Sequence, residues 1–187
     1  MHNLIKKAAY FAAEKHNGQY RKGTKVPYFA HPTEVAILVA KYTADTNTIC
    51  AALLHDTIED CEGVTFELLS ETFNPSVAAI VLEVSKDKKH ATWKETKEAY
   101  IAALKHASEP ALIVAAADKM TNMESYFSSL VGNPEQTAAL FKGSPEEYIW
   151  YYKNILDILM QRLPAHKVTE DYLKLFNSIK EKVQILL

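Results

Sequence analysis

Glycine and proline are sparse in this chain. Five glycines and seven prolines in 187 residues are too few for a loop-dominated architecture. Neither the P-loop nor the dinucleotide glycine fingerprint occurs anywhere. Any phosphate bound here must therefore meet side chains or a metal, not a cradle of backbone amides. Cysteine is almost as rare. Cys50 and Cys61 form no CxxC pair and no zinc pattern, which excludes a disulfide scaffold and leads us to expect a reduced, cytoplasmic compartment. No apolar run approaches the roughly 20 residues of a membrane span, and the N-terminal stretch Met1 to Gly18 lacks a small-residue cleavage site. Neither export nor membrane insertion is expected. Excess charge is missing too. Lys plus Arg number 21 and Asp plus Glu 23, and a net charge of −2 provides no basic field for duplex binding, so nucleic acid is not an expected partner. Arginine occurs only at positions 21 and 162, which makes each a candidate for stacking or bidentate contact.

What remains is a chain that is 48% hydrophobic and 24% charged, in the range of one domain with a single core, so residues 1–187 are read as one domain. The apolar positions Leu4, Ile5, Ala8, Ala9, Phe11 and Ala12 recur at helical spacing. Pro32, Pro75, Pro110, Pro134 and Pro145 each suit the first turn of a helix, where a missing N–H costs nothing. Asp45 or Thr46, Thr65 and Thr92 are expected caps. The third helix is expected to run on through Ile58 until Cys61-Glu62-Gly63 ends it, and Ser85 to His90 to form an exposed loop. The block Ala111 to Ala117 is compatible with a strand or a helix. Its three consecutive alanines favour a helix continuing through Asp118 to about Phe127. The fold class expected is all-α and compact.

Chemistry concentrates in three segments. In Leu53-Leu54-His55-Asp56-Thr57-Ile58-Glu59-Asp60, an imidazole and three carboxylates follow an apolar helical run. A buried face tolerates such a set only when metal or hydrogen bonds offset the desolvation. Alternatively the helix emerges into solvent at His55, although acids are disfavoured at a helix C-terminus. His31, at a helix start, and Asp118, after an apolar run, are each ordinary as lone capping residues. Together with His55 and Asp56 they suit a mixed nitrogen and oxygen site for Mn²⁺, Fe²⁺, Co²⁺ or Zn²⁺.

The order His31, His55-Asp56, Asp118 resembles the HD phosphohydrolase superfamily. Three stretches narrow the likeness: Arg21-Lys22-Gly23-Thr24 ahead of His31-Pro32, Ala51 to Asp60, and Ala115-Ala116-Ala117-Asp118-Lys119-Met120-Thr121-Asn122. They resemble the hydrolase domain of the RelA/SpoT alarmone enzymes, and the chain as a whole is most similar to the stand-alone small alarmone hydrolases. The resemblance implies a single helical HD domain and Mn²⁺-dependent removal of the 3′-pyrophosphate of guanosine tetra- or pentaphosphate. It implies that His31, His55, Asp56 and Asp118 hold the metal and that Glu59 and Asp60 form the acid/base pair. A guanine nucleotide would then be the small-molecule partner, met by Arg21, Lys22 and Asn122. Where the RelA/SpoT pattern commonly has His before this Asn, this chain has Thr121, which bears on local packing or substrate preference. Tyr148 to Tyr152 offer either an aromatic wall to the pocket or core, and helical spacing favours core; Trp93 and Met120 are read as packing residues. The alternatives are an HD phosphohydrolase acting on another nucleotide, a nucleoside monophosphate or NADPH, and a non-catalytic nucleotide sensor.

Overall fold

A computed structural model of the chain describes residues 2–86 and 92–186. The described residues are helical with no named strand. The exception to helix and turn is an isolated bridge between Tyr20 and Pro27 that closes the polar loop after the first helix. In chain order the helices are α1 (His2–Lys15), α2 (Ala30–Val39), α3 (Thr46–Leu54), α4 (Thr57–Asp60), α5 (Phe66–Thr72) and α6 (Pro75–Val84). They continue with α7 (Trp93–Leu104), α8 (Glu109–Gly132), α9 (Pro134–Leu140), α10 (Pro145–Arg162) and α11 (Lys167–Leu186).

The helix starts follow local chemistry. Asp45 caps α3 and Thr65 caps α5, each side chain accepting a backbone N–H three residues on. Asn74 caps α6 ahead of Pro75, and Ser108 caps α8 ahead of Pro110. Thr92 with Glu95, and Ser144 with Glu147, form reciprocal capping boxes at α7 and α10. Residues 87–90 of the expected Ser85 to His90 loop lie outside the described residues.

The stretch Ala111 to Ala117 is helical and lies in the buried half of α8, which packs against α2, α3, α6, α10 and α11. Ala115, Ala116 and Ala117 have almost no exposed surface, and side chains this small let α2 and α3 come close to the α8 backbone. Leu112, Leu54, Val35, Tyr151 and Tyr172 fill the core around it. Full burial of each such aliphatic side chain contributes about 1.5 to 3 kcal/mol.

The third helix does not run to Cys61 as expected. It stops at Leu54, and a turn at His55-Asp56 separates it from the short α4. His55 Nδ1 donates to the Ala52 carbonyl at 2.8 Å, and the Thr57 hydroxyl donates to the Leu54 carbonyl at 2.7 Å. These side chains take carbonyls that the continuing backbone ladder would have used.

Candidate active site

That break in the helix turns His55 and Asp56 inward. The first turn of α2 brings His31 to the same point, and the middle of α8 brings Asp118. All four are buried. Single donor atoms of His31, His55 and Asp118 lie within 4.8 Å of one another. Asp118 Oδ1 stands 3.1 Å from His31 Nε2 and 3.6 Å from His55 Nε2. Asp56 Oδ2 stands 3.1 Å from His55 Nε2 and 3.7 Å from His31 Nε2. Nitrogen and oxygen thus alternate around a ring of four donors. Two ligands held at right angles about 2.1 Å from one cation stand about 3 Å apart, close to these edges.

Hydrogen bonding at the far side of each imidazole supports the fit. Because His55 Nδ1 must be a donor to reach the Ala52 carbonyl, its Nε2 is left to face the carboxylates, and this buried atom makes no hydrogen bond. Thr121 donates its hydroxyl proton to the Asp118 carbonyl at 2.9 Å, so its oxygen is free to accept from His31 Nδ1 at 3.4 Å. With Nδ1 engaged on its far side, each ring turns Nε2 toward the carboxylates, His31 Nε2 at hydrogen-bond distance from Asp118, which is the orientation that metal-ligating histidines adopt. The electrostatics agree. Burial alone would lower the His55 pKa, but the Asp56 and Asp118 carboxylates outweigh it and hold the group up at about 10. For His31 burial wins and the pKa is lowered. Asp56 and Asp118 are held below the usual carboxylate range against their own burial, Asp56 chiefly by His55 and Asp118 chiefly by Lys119. Where the acids draw a proton onto His55, a divalent cation satisfies the same field without one. An HD domain implies a divalent metal, and His31, His55 and Asp118, with Asp56 beside them, have the donor chemistry to hold one.

Two contacts here were not read from the sequence. The Tyr28 hydroxyl donates to Asp56 Oδ2 at 2.6 Å, and Lys119 forms a buried ion pair with Asp118. A Tyr three residues before His31 and a Lys beside Asp118 were visible in the chain, but nothing in their spacing distinguished them from packing residues.

Beside the cluster lies a cavity of about 360 Å³, bordered by Tyr28, Lys119 and Asn122, each bonded to a member of the donor ring. Arg21, Lys22 and Asn122 all line it, so the three expected nucleotide contacts are brought together. Asn122 bridges the two regions: its amide nitrogen donates to Asp118 Oδ1 and its oxygen accepts from Arg21 at 3.5 Å. The Arg21 guanidinium lies over the Tyr28 ring at 5.8 Å, and Lys22 lies over Phe141 at 4.8 Å. Tyr148, Tyr151 and Tyr152 are core residues, as expected, and also form one wall of this cavity. Trp93 packs edge-on against Tyr148 and Met120 is buried, both in line with the sequence reading.

Glu59 and Asp60 follow in α4. Glu59 Oε1 accepts from the Lys86 backbone at 2.7 Å and from its ammonium at 3.1 Å, which ties α4 to a residue lining the cavity. Asp60 is exposed, and its backbone carbonyl accepts from Gln19 at 2.8 Å. Because α3 is interrupted, Glu59 owes its position to the turn and to Lys86, not to a continuous helix face shared with His55.

The HD domain pattern matches residues 8–143. The chain belongs to the HD domain family. Its relatives carry two kinds of name, guanosine-3′,5′-bis(diphosphate) 3′-pyrophosphohydrolase and GTP pyrophosphokinase, the latter including a protein of Mycobacterium leprae (strain TN) that is 36% identical over 126 residues, 65% of this chain and 16% of its own. A guanosine-3′,5′-bis(diphosphate) 3′-pyrophosphohydrolase of Aquifex aeolicus (strain VF5) is 34% identical over 187 residues, covering 95% of this chain and 26% of that protein. The guanosine-3′,5′-bis(diphosphate) 3′-pyrophosphohydrolase MESH1 of Xenopus tropicalis is 42% identical over 123 residues, 64% of this chain and 68% of its own. The chain thus spans about a quarter of the Aquifex protein's length and two thirds of the Xenopus protein's. A solved structure described as a metazoan ortholog of SpoT that hydrolyzes ppGpp superposes with a TM-score of 0.76 at 27% identity, covering 94% of both chains.

Proposed function

We propose that this HD protein hydrolyses the 3′-pyrophosphate of guanosine tetra- or pentaphosphate, giving GDP or GTP and pyrophosphate. The observation that carries the reading is the ring of His31, His55, Asp56 and Asp118 opening, through Asn122, onto a cavity lined by Arg21 and Lys22. The full-length likeness to a ppGpp-hydrolysing structure supports the substrate class. Residues 1–187 are taken as one HD-type hydrolase domain, with α10 and α11, which lie beyond the matched span, packed on one another and on α8. The protein is placed in the cytoplasm with its nucleotide substrate. No described helix is long and apolar enough to cross a membrane.

In this reading His31, His55, Asp56 and Asp118 hold Mn²⁺, the metal we favour for two imidazoles and two carboxylates. The bound metal supplies a Lewis acid that makes water more acidic and offsets charge developing at phosphorus. Tyr28 and Thr121 orient Asp56 and His31 through their hydrogen bonds. The Arg21 guanidinium offers a flat cation to the guanine face. Lys22 meets phosphate charge, and Asn122 presents its amide to the ribose or phosphate. The Glu59-Asp60 pair handles the protons. Water oxygen bonds to the phosphorus next to the ribose, the P–O3′ bond breaks, and the 3′-oxygen receives a proton. A carboxylate of the pair takes the proton that the water loses.

A substrate panel with Mn²⁺ tests this. Pyrophosphate release from ppGpp with slower or no dephosphorylation of NADPH is expected. Rapid loss of the NADPH phosphate with no pyrophosphate from ppGpp would overturn it.

A further inference from the structure

Besides Lys22, three ammonium groups line the same cavity: Lys86 after α6, Lys97 on α7 and Lys119 on α8. Two have carboxylate partners, Lys86 with Glu59 and Lys119 with Asp118. Lys97 has no ion-pair partner among the described residues. Its ammonium lies over the Tyr151 ring at 4.6 Å and the Trp93 ring at 5.4 Å. Tyr151, whose ring the ammonium covers, also lines the cavity, and its buried hydroxyl makes no hydrogen bond. A cation with no ion-pair partner among the described residues, over the ring of a tyrosine whose hydroxyl has no partner, forms a site that an anion would complete.

We propose that Lys97 binds the outer phosphate of the substrate's 3′-pyrophosphate and so distinguishes a 3′-diphosphate from a 3′-monophosphate. The proposal rests on the reading of the site as an alarmone pyrophosphohydrolase. Position selects this phosphate. The charges felt by Lys97 are Lys119, Lys86, Asp118 and Glu59, all around the metal end of the cavity. Lys22, by contrast, feels Lys142 and lies over Phe141. A nucleotide with its reacting phosphorus at the donor ring places the next phosphate toward Lys97 and leaves the 5′-phosphates for Lys22. The surroundings also prime the amine. Burial first, then repulsion from Lys119 and Lys86, lower its pKa to about 7, against the weaker pull of Asp118 and Glu59. A dianionic phosphate beside it reverses that shift, so binding above pH 7 takes up a proton and affinity falls as pH rises.

The test compares wild type, Lys97→Met and Lys97→Arg on ppGpp and on the analogue carrying a single 3′-phosphate. In parallel, titration calorimetry with inorganic pyrophosphate is run in buffers of different ionisation enthalpy between pH 7 and 9. The Met variant is expected to raise KM for ppGpp roughly tenfold, the scale of one hydrogen bond to a charged group, with KM for the monophosphate unchanged. Lys97→Arg should recover most of the loss. Proton uptake on pyrophosphate binding should be present in the wild type and absent in the Met variant. An equal effect on both nucleotides, or none on either, would overturn the role of Lys97 while leaving the hydrolase reading intact. If the wild type turns over neither nucleotide, the hydrolase reading fails and the calorimetry still decides. Weaker pyrophosphate binding without proton uptake in the Met variant supports the anion site, and unchanged binding refutes it.

Discussion

Tyr28 shows what a single hydrogen bond contributes at this site. Its hydroxyl is 2.6 Å from Asp56 Oδ2, and burial first, then the Asp56 charge, holds its pKa above that of an ordinary tyrosine, so it remains a donor throughout the working range. Removing that donor in Tyr28→Phe leaves the ring packing in place and Asp56 less constrained. Mn²⁺ affinity measured by calorimetry should fall about 10- to 100-fold, as when the supporting partner of a metal ligand is lost. Unchanged helicity by circular dichroism would separate this from misfolding, and unchanged affinity would remove Tyr28 from the site. The four ring residues were legible in the sequence because their order and types are distinctive. Tyr28, Lys86 and Lys97 were not, because their partners lie 27 or more residues away, or are absent, and only the fold brings the groups together; Thr121 stood out only as a departure from the RelA/SpoT pattern, without its contact to His31.

Among the elements, the helix starts were the most legible feature and the α3 to α4 break the least. Caps are local. Proline at the first turn and a Ser, Thr, Asp or Asn before it act within three residues, so the chain announces them. The break depends on His55 and Thr57 turning back onto α3 carbonyls, and apolar periodicity through Ile58 does not reveal that competition. Asp45 tests the value of a cap on the helix that leads to His55. Its Oδ2 accepts from the Thr48 backbone at 2.9 Å and from the Thr48 hydroxyl at 2.6 Å. The hydroxyl hydrogen bond, opposed by slight burial and aided by the backbone bonds, lowers its pKa in the folded chain. A carboxyl group with a depressed folded pKa stabilises fully above its unfolded value near pH 3.9, and the contribution is lost as pH falls through the folded value. Asp45→Ala should cost about 1 kcal/mol in urea unfolding at pH 7. Its deficit should shrink below about pH 4. A pH-independent deficit would contradict the charged cap.

At the scale of the whole molecule, α8 is the member that joins stability to chemistry. Its first half is core, and its middle carries Asp118, Lys119, Thr121 and Asn122 into the site. Helices α2, α3 and α8 meet at the donor ring, so a metal held there links three elements that are distant in the chain. A ligand that binds only the folded form stabilises it by about 2.7 kcal/mol at a hundred times its dissociation constant. Thermal unfolding should therefore shift upward with Mn²⁺ in the wild type and much less in Asp118→Asn, and an equal shift in both would detach the metal from the ring. The family and the all-helical fold were legible, and so was the set of four donors that the fold brings together, because a few motif residues carry them. The double role of Tyr148, Tyr151 and Tyr152 was only half legible, since helical spacing gives the same signal for a core as for a core that also borders a cavity. The most direct test is pyrophosphate release from ppGpp by the purified protein with Mn²⁺, compared with the same protein in EDTA and with folded His55→Ala. Release of pyrophosphate and GDP in equal amounts by the wild type, abolished by chelation and restored by Mn²⁺, and absent in the variant, is the expected result. Full release by metal-free protein or by His55→Ala would contradict it.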